Sequence, residues 1–181
     1  MGRERVTGTG TATGTGTIAP IRASVTIDAP PADAFAGFTD GMGTWWPRAF
    51  TWSGELLERI GIEGRMGGFC FEIGANGMRL DWGRVSAWEP PGRLAFTWQI
   101  GPDRVPQPNP SQASEVEVTF AAARDDRTTV SVEHRGWERL GAGGADYREQ
   151  LAGSGTWETI LAAYAAAVER RAEAPWTGLT T

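Results

Sequence analysis

The sequence contains no lysine, a single cysteine and a single histidine. Its 17 basic residues are all arginines and stand against 22 acidic ones, which gives a formal net charge of −5. Because the two signs are interleaved and form no basic stripe, we expect no nucleic-acid partner. The lone Cys70 cannot form an intramolecular disulfide, and one histidine with one cysteine cannot make a structural zinc site. We therefore expect no metal and no other cofactor.

Long apolar runs are also missing. No stretch approaches the roughly 18 apolar residues that span a membrane, and no apolar segment follows the N-terminal arginines as it does in a secretory signal. We therefore expect a cytoplasmic protein without a membrane span. Residues 1–20 are rich in glycine and threonine and are predicted to be a flexible tail, and residues 172–181 a second tail. Residues 21–171 are predicted to form a single domain.

Short segments with period-two alternation dominate this domain, and turn-forming residues separate them. We predict strands at 24–27, 53–60, 68–73, 79–88, 93–100, 115–121 and 128–135. The alternation is clean at Leu94, Phe96, Trp98 and Ile100, which share one face. This pattern predicts antiparallel strands with one buried and one solvated face.

Two helical regions accompany the strands, one after the first strand and one after the last. Pro30 and Pro31 suit the start of a short helix, and Asp28 is a candidate for its cap. Near the C-terminus five apolar residues recur at helical spacing: Trp157, Ile160, Leu161, Tyr164 and Val168. The only large apolar surface available to this stripe is the sheet. The order of elements therefore predicts an α+β fold with one long helix across a bent antiparallel sheet.

Four stretches occur in the order found in a known family. They are Trp45-Trp46-Pro47, residues 63–68 (EGRMGG), residues 82–91 with 93–98 (WGRVSAWEPP and RLAFTW) and residues 132–140 (VEHRGWERL). With them the chain resembles the SRPBCC (START-like) superfamily, and within it the branch similar to the C-terminal domain of the activator of Hsp90 ATPase. It departs from the family pattern at Gly64, where proline is usual, and at Phe69, where a polar residue is common.

The resemblance implies a helix-grip fold. In that fold a curved antiparallel sheet of six or seven strands wraps around a long C-terminal helix, two short helices follow the first strand, and a cavity lies between sheet and helix. Members of the superfamily include carriers of lipids and other hydrophobic ligands, polyketide cyclases and cochaperone domains. The fold alone therefore does not decide the function.

Six tryptophans are candidates for a cavity wall, because a grip fold has few other places to bury so many indoles. They are Trp45, Trp46, Trp52, Trp82, Trp98 and Trp157. Core and rim packing is the favoured explanation for each of them taken singly. Cys70 and Glu72 share one face of a predicted strand, opposite Phe69 and Phe71, and alternation leaves open which face is inside. A buried Glu72, with Cys70 beside it, is our working hypothesis for the ligand site.

His134 shares a face with Val130 and Val132, which places it toward the interior. It is either a core histidine whose ring nitrogens are satisfied by neighbours, or a polar anchor or acid–base group in the pocket. Glu72 and His134 are the candidate catalytic residues.

Three functional hypotheses follow. The preferred one is binding of a small hydrophobic or aromatic molecule in an internal cavity without catalysis. The second is a cyclase- or hydrolase-type enzyme, which requires Glu72 and His134 to meet each other or one ligand atom. The third is a cochaperone-like interaction module. A homodimer formed through free edge strands is a further hypothesis.

Overall fold

The computed structural model describes residues 17–173 and shows one seven-stranded antiparallel sheet with three helices. The strands are β1 (Ile21–Ile27), β2 (Arg59–Ile62), β3 (Phe69–Ile73), β4 (Arg79–Glu89), β5 (Arg93–Trp98), β6 (Ser114–Ala122) and β7 (Thr128–Arg135). The helices are α1 (Pro31–Thr39), α2 (Gly144–Gly153) and α3 (Thr156–Glu173). The strand order is β1-β7-β6-β5-β4-β3-β2, so β1 and β2 are the two edges.

The tails predicted at 1–20 and 172–181 lie largely outside the described residues. In the described part of the chain, β1 begins at Ile21, where the predicted domain begins. Helix α3 extends to Glu173, two residues past the predicted end of the domain.

The sheet bends at two interruptions of its register. One lies between Cys70 and Phe71 on β3, and the other between Val85 and Ala87 on β4. An extra residue in one strand of an antiparallel pair increases local twist and bends the strand. The eleven-residue β4 therefore serves both halves of the sheet, pairing with β3 at one end and with β5 at the other.

The concave face of the curved sheet holds the core. Leu94, Phe96 and Val118 are almost fully buried there, and the predicted stripe of α3 packs against the same interior. In that stripe Trp157, Ile160, Leu161 and Tyr164 are buried and Val168 is partly buried. This is the helix-grip architecture, and the α+β prediction is confirmed.

Four local predictions differ from the structure. Asp28 does not cap α1, because Pro30 is the extended residue before the helix and Asp28 instead pairs with Arg127. The segment 53–60 is not one strand: a 3₁₀ turn occupies Gly54–Leu56, and β2 begins only at Arg59. The backbone N–H of Ser53 is bonded to the Glu72 carboxylate, so a strand partner cannot use it.

The third difference concerns β5, and the fourth concerns the region before α3. Alternation predicts one solvated face for β5, but its residues Leu94 to Trp98 are all buried. The outward Thr97 hydroxyl accepts a hydrogen bond from the backbone N–H of Arg84, which lies on the neighbouring strand. In addition, α2 is absent from the sequence prediction, because the glycines around it are typical of loops.

Gly83 tests how closely the strands approach at this bend. A Cβ at Gly83 would overlap the carbonyl oxygen of Thr97 and lie 3.2 Å from the Cβ of Cys70. We expect Gly83→Ala to lower the free energy of unfolding by roughly 1–3 kcal/mol, as overpacked cores do. The control is Gly43→Ala, whose added Cβ meets nothing nearer than 3.5 Å. Denaturant unfolding measures both, and equal stabilities would contradict the close approach.

Candidate functional site

A cleft of about 250 Å³ opens between the sheet, the segment after α1 and the start of the C-terminal helices. Its lining residues come from β3 to β5, from residues 46–52, from the loop after β5, from α2 with the residue after it and from the start of α3. They are Trp46, Ala49, Phe50, Thr51, Trp52, Glu72, Trp82, Trp98, Ile100, Pro102, Arg104, Tyr147, Gln150, Leu151, Ser154 and Thr156. Aromatic and aliphatic side chains predominate, which is typical of sites for small organic molecules.

Three tryptophans form a continuous aromatic wall. The ring centroids of Trp46 and Trp82 lie 5.7 Å apart, and those of Trp82 and Trp98 lie 5.9 Å apart. All three are at most 5% exposed. Packed edges and tilted faces of this kind hold the rings in fixed orientations, so the wall is rigid.

The mouth of the cleft is held by two reciprocal hydrogen bonds between loops. The indole Nε1 of Trp52 donates to the carbonyl oxygen of Arg104 over 2.9 Å, and the Arg104 guanidinium donates to the carbonyl oxygen of Thr51 over 2.9 Å. Arg104 has a φ of +61°, a left-handed conformation that is uncommon for a side chain of this type. The loop after β5 is thereby tied to the segment that carries Trp52.

Most polar atoms of the wall are bonded within the protein, and two donors are not. Trp98 Nε1 donates to the hydroxyl oxygen of Tyr147 over 3.1 Å. The hydroxyl hydrogen of Tyr147 has no acceptor among residues 17–173, and neither has the buried Nε1–H of Trp82. Burial raises the pKa of Tyr147, so its hydroxyl stays protonated and able to donate.

Glu72 lies inside, with 1% of its surface exposed. Its Oε1 accepts from the backbone N–H of Ser53 (2.8 Å) and from the Ser53 hydroxyl (2.7 Å), and its Oε2 accepts from the backbone N–H of Trp52 (3.1 Å). A buried carboxylate is tolerated when donors surround it in this way. Glu72 therefore fixes the backbone that presents Trp52 to the cleft.

The opposite face of β3 carries aromatic rings under arginines. The guanidinium of Arg84 lies 4.1 Å from the ring centroid of Phe69, and that of Arg79 lies 4.6 Å from the ring centroid of Phe71. Cation–π contacts cover both rings and make an outward position acceptable for them. Sequence alternation leaves open which face of β3 is buried. The structure places Cys70 and Glu72 on the buried face and Phe69 and Phe71 on the outer one.

His134 is fully buried and bonded at both ring nitrogens. Trp157 Nε1 donates to Nδ1 over 3.1 Å, so Nδ1 carries no hydrogen. The hydrogen therefore sits on Nε2, which lies 2.8 Å from the Ser114 hydroxyl. Burial lowers the pKa of His134 well below its ordinary value. The geometry is that of a structural core histidine.

The structure brings five of the nine predicted site residues to one cleft: Trp46, Trp52, Glu72, Trp82 and Trp98. The other four lie outside its lining. Trp157 and His134 lie deeper, behind Trp98, and the Cys70 thiol is fully buried. Sequence reasoning missed Tyr147 and Arg104. Tyr147 belongs to the unpredicted α2, and the Arg104 loop has no periodic signal.

Trp45 lines a second cavity, of about 360 Å³, between α1 and α3. Here the polar atoms of the aromatic side chains are satisfied: Trp45 Nε1 donates to the carbonyl of Gly37, and the Tyr164 hydroxyl donates to that of Ala34. Its wall also carries the carboxylates of Asp28 and Asp33. The first cleft is therefore the better candidate for an apolar ligand.

Two further observations bound the chemistry of the described part of the chain. Among residues 17–173, no three histidine, cysteine, aspartate or glutamate side chains are grouped so that they could hold a metal ion. No helix in that range is both long and apolar enough to cross a membrane.

A curved sheet gripping a C-terminal helix, with an aromatic cleft beneath, defines a START-like (SRPBCC) domain. The chain belongs to the family of activator of Hsp90 ATPase homolog 1-like proteins, whose model matches residues 28–169. No curated protein gives a significant match.

Several solved structures are similar over nearly their whole length. An anthrahydroquino-γ-pyrone synthase, Txn09, complexed with a compound designated SUM, is 28% identical over 83% of this chain and 97% of its own, with a TM-score of 0.57. The self-sacrificing resistance protein CalC from Micromonospora echinospora is 27% identical over 84% and 96%, with a TM-score of 0.58. The Aha1 dimer from Colwellia psychrerythraea, 18% identical over 84% and 97% with a TM-score of 0.55, shares the fold.

His134 predicts a defined pH dependence of stability. Its pKa is lowered in the folded state, so the unfolded chain takes up a proton near pH 6.5 that the folded chain does not. Stability is therefore retained above this pH and falls below it, by about 1 kcal/mol between pH 7 and 5.5. We expect the stability gap between wild type and His134→Gln to shrink by that amount over this range. A constant gap in denaturant unfolding would show that His134 takes up its proton in the folded state.

Glu72 predicts a second, local effect. Glu72→Gln removes acceptor capacity from a cluster of three donors, so we expect a loss of roughly 2 kcal/mol in the free energy of unfolding. The control is Glu58→Gln, the same change on an exposed side chain. An equal, small effect of both substitutions on thermal unfolding would contradict the assigned role.

Proposed function

We propose that this protein binds a small, flat, largely apolar molecule in the cleft walled by Trp46, Trp82 and Trp98, without catalysis. The observation that carries the proposal is the cleft itself: three nearly buried indoles in a fixed arrangement bound a space of about 250 Å³. Flat rings stack well on such walls, and burial of apolar area supplies the main driving force for binding.

The similar solved structures support this class of ligand. Txn09 is described as an anthrahydroquino-γ-pyrone synthase and was solved in complex with the compound SUM, and it covers most of this chain at 28% identity. A polycyclic aromatic ligand is therefore a reasonable first probe for the cleft. The synthase activity itself remains a property of that relative.

The hypothesis of an acid–base pair receives no support from the geometry. Glu72 lines the cleft and His134 does not, and the hydrogen bonds of each go to different neighbours. His134 has no free ring nitrogen, and every hydrogen bond of the Glu72 carboxylate serves the local backbone or Ser53. The cochaperone-like role, the homodimer and the cytoplasmic location stay predictions.

The test is binding of flat aromatic probes to wild type and to a variant with an obstructed mouth. Ala49 lines the cleft and is exposed, so Ala49→Trp narrows the entrance without disturbing the core. We expect it to weaken binding of 9-fluorenone at least tenfold in equilibrium dialysis and to abolish the ligand-induced rise in melting temperature.

The matched control is Ala122→Trp, the same change at an exposed position on the end of β6. It should bind like wild type. Equal weakening by both substitutions, or binding that neither affects, would place the ligand outside this cleft.

A further inference from the structure

Among residues 17–173, one basic side chain lines the cleft, that of Arg104. The residue is exposed, so a molecule that enters the cleft meets it at the mouth and not behind the buried wall. Its guanidinium makes one hydrogen bond within that range, to the carbonyl oxygen of Thr51 over 2.9 Å, and takes part in none of the salt bridges there. Since a guanidinium has five N–H donors, most donors of Arg104 and its full charge remain for a ligand.

The backbone of Arg104 has a conformation that arginine rarely adopts, with a φ of +61°. The other non-glycine residues with a positive φ in the described range are of types that tolerate it, namely Asn76, Asp125 and Asp126. A glycine would make the same turn without this cost, so the turn alone does not account for an arginine here. Strained positions of this kind are concentrated at ligand sites. The indole of Trp52 holds the residue in place through its bond to the Arg104 carbonyl oxygen.

Arg104 and Glu72 bind the two ends of one peptide group. The Oε2 of Glu72 accepts from the N–H of Trp52, and the Arg104 guanidinium donates to the carbonyl oxygen of Thr51, which belongs to the same peptide bond. Because the N–H and C=O of a trans peptide point in opposite directions, the carboxylate and the guanidinium lie on opposite sides of it. The negative charge is thus buried among its own three donors, and the positive charge lies at the entrance.

We infer that the cleft recognises a flat aromatic molecule that carries a carboxylate, and that Arg104 binds this carboxylate at the mouth. This deepens the proposed function and rests on it. The rings stack on the buried indoles, while the anion stays at the exposed end and meets a guanidinium whose fork matches its two oxygens. The neighbouring Asp103 does not neutralise this charge, because its carboxylate accepts from the backbone N–H of Val105 and lies outside the cleft lining.

The position of Arg104 also sets the size of the effect. A fully exposed ion pair contributes little to binding, because water and salt screen it. Beside an apolar cavity the same attraction is stronger, since the surroundings have a lower dielectric constant. We therefore expect a moderate preference for the acid over a neutral molecule of the same outline.

The experiment compares 2-naphthoate with 2-naphthamide, which share one ring system and one planar substituent and differ in charge. In equilibrium dialysis at neutral pH and low salt, we expect wild type to prefer the acid about fivefold, which corresponds to about 1 kcal/mol. The preference should shrink toward about twofold between about 20 mM and about 500 mM salt, because the added ions screen the pair.

Three variants assign the preference to one side chain. Arg104→Gln removes the charge and should reduce the preference to about twofold or less, while the affinity for the amide stays within about twofold. Arg104→Lys keeps the charge and loses the fork, so it should retain part of the preference. The matched control is Arg124→Gln, which changes the net charge equally at an exposed position outside the cleft lining and should keep the full preference.

The outcomes separate the two proposals. Equal affinities of wild type for acid and amide would overturn the carboxylate subsite and leave the proposed binding function standing. A fall in both affinities by the same factor in Arg104→Gln would also overturn it, because Arg104 would then act only by holding the mouth. So would an equal loss of preference in Arg124→Gln. Failure of both probes to bind wild type would count against the proposed function itself, and the subsite would fall with it.

Discussion

The buried carboxylate of Glu72 is the contact on which the cleft depends. It gathers the donors of Trp52 and Ser53, and so fixes a segment that has no regular secondary structure. That segment in turn holds the Arg104 loop through Trp52 and Thr51, and the two together form the mouth. Placing a charge inside requires the neighbouring residues of β3 to point outward. The stacked arginines over Phe69 and Phe71 make that side of the strand tolerable in water.

The fold could be predicted where one periodicity dominates. One side of β6, of β7 and of α3 is clearly apolar in the sequence. In the structure that side is the buried one. Strand β3 is different, because apolar residues occupy both of its faces and only the contacts with Arg79 and Arg84 decide the orientation. The residues of the cleft could be predicted only in part, because only some of them lie on elements with a clear periodicity. Its tryptophans can be recognised by type, but Tyr147 and Arg104 reach it from an unpredicted helix and an irregular loop.

The exclusive use of arginine as the cation has a physical consequence in this fold. A planar guanidinium stacks on a ring and donates in its plane at the same time, which an ammonium group cannot do. Arg79 does both: it lies over Phe71 and bonds Glu63 and Asp81. Arg93 on β5 and Arg135 on β7 both form salt bridges with Glu117 on β6, which lies between them. Arginine guanidinium groups that bond acidic side chains on neighbouring strands therefore connect the strands on the outer face of the sheet.

The tryptophans of the interior also form an optical unit. From Trp45 through Trp46, Trp82 and Trp98 to Trp157, consecutive ring centroids lie 5.5 to 5.9 Å apart. At such spacing, electronic excitation absorbed by one indole migrates to the others faster than it is emitted. A molecule that quenches Trp82 therefore lowers the fluorescence of all five tryptophans. These tryptophans extend from the cleft to the cavity beside Trp45. The intrinsic fluorescence of the protein is in this sense a collective property of its core.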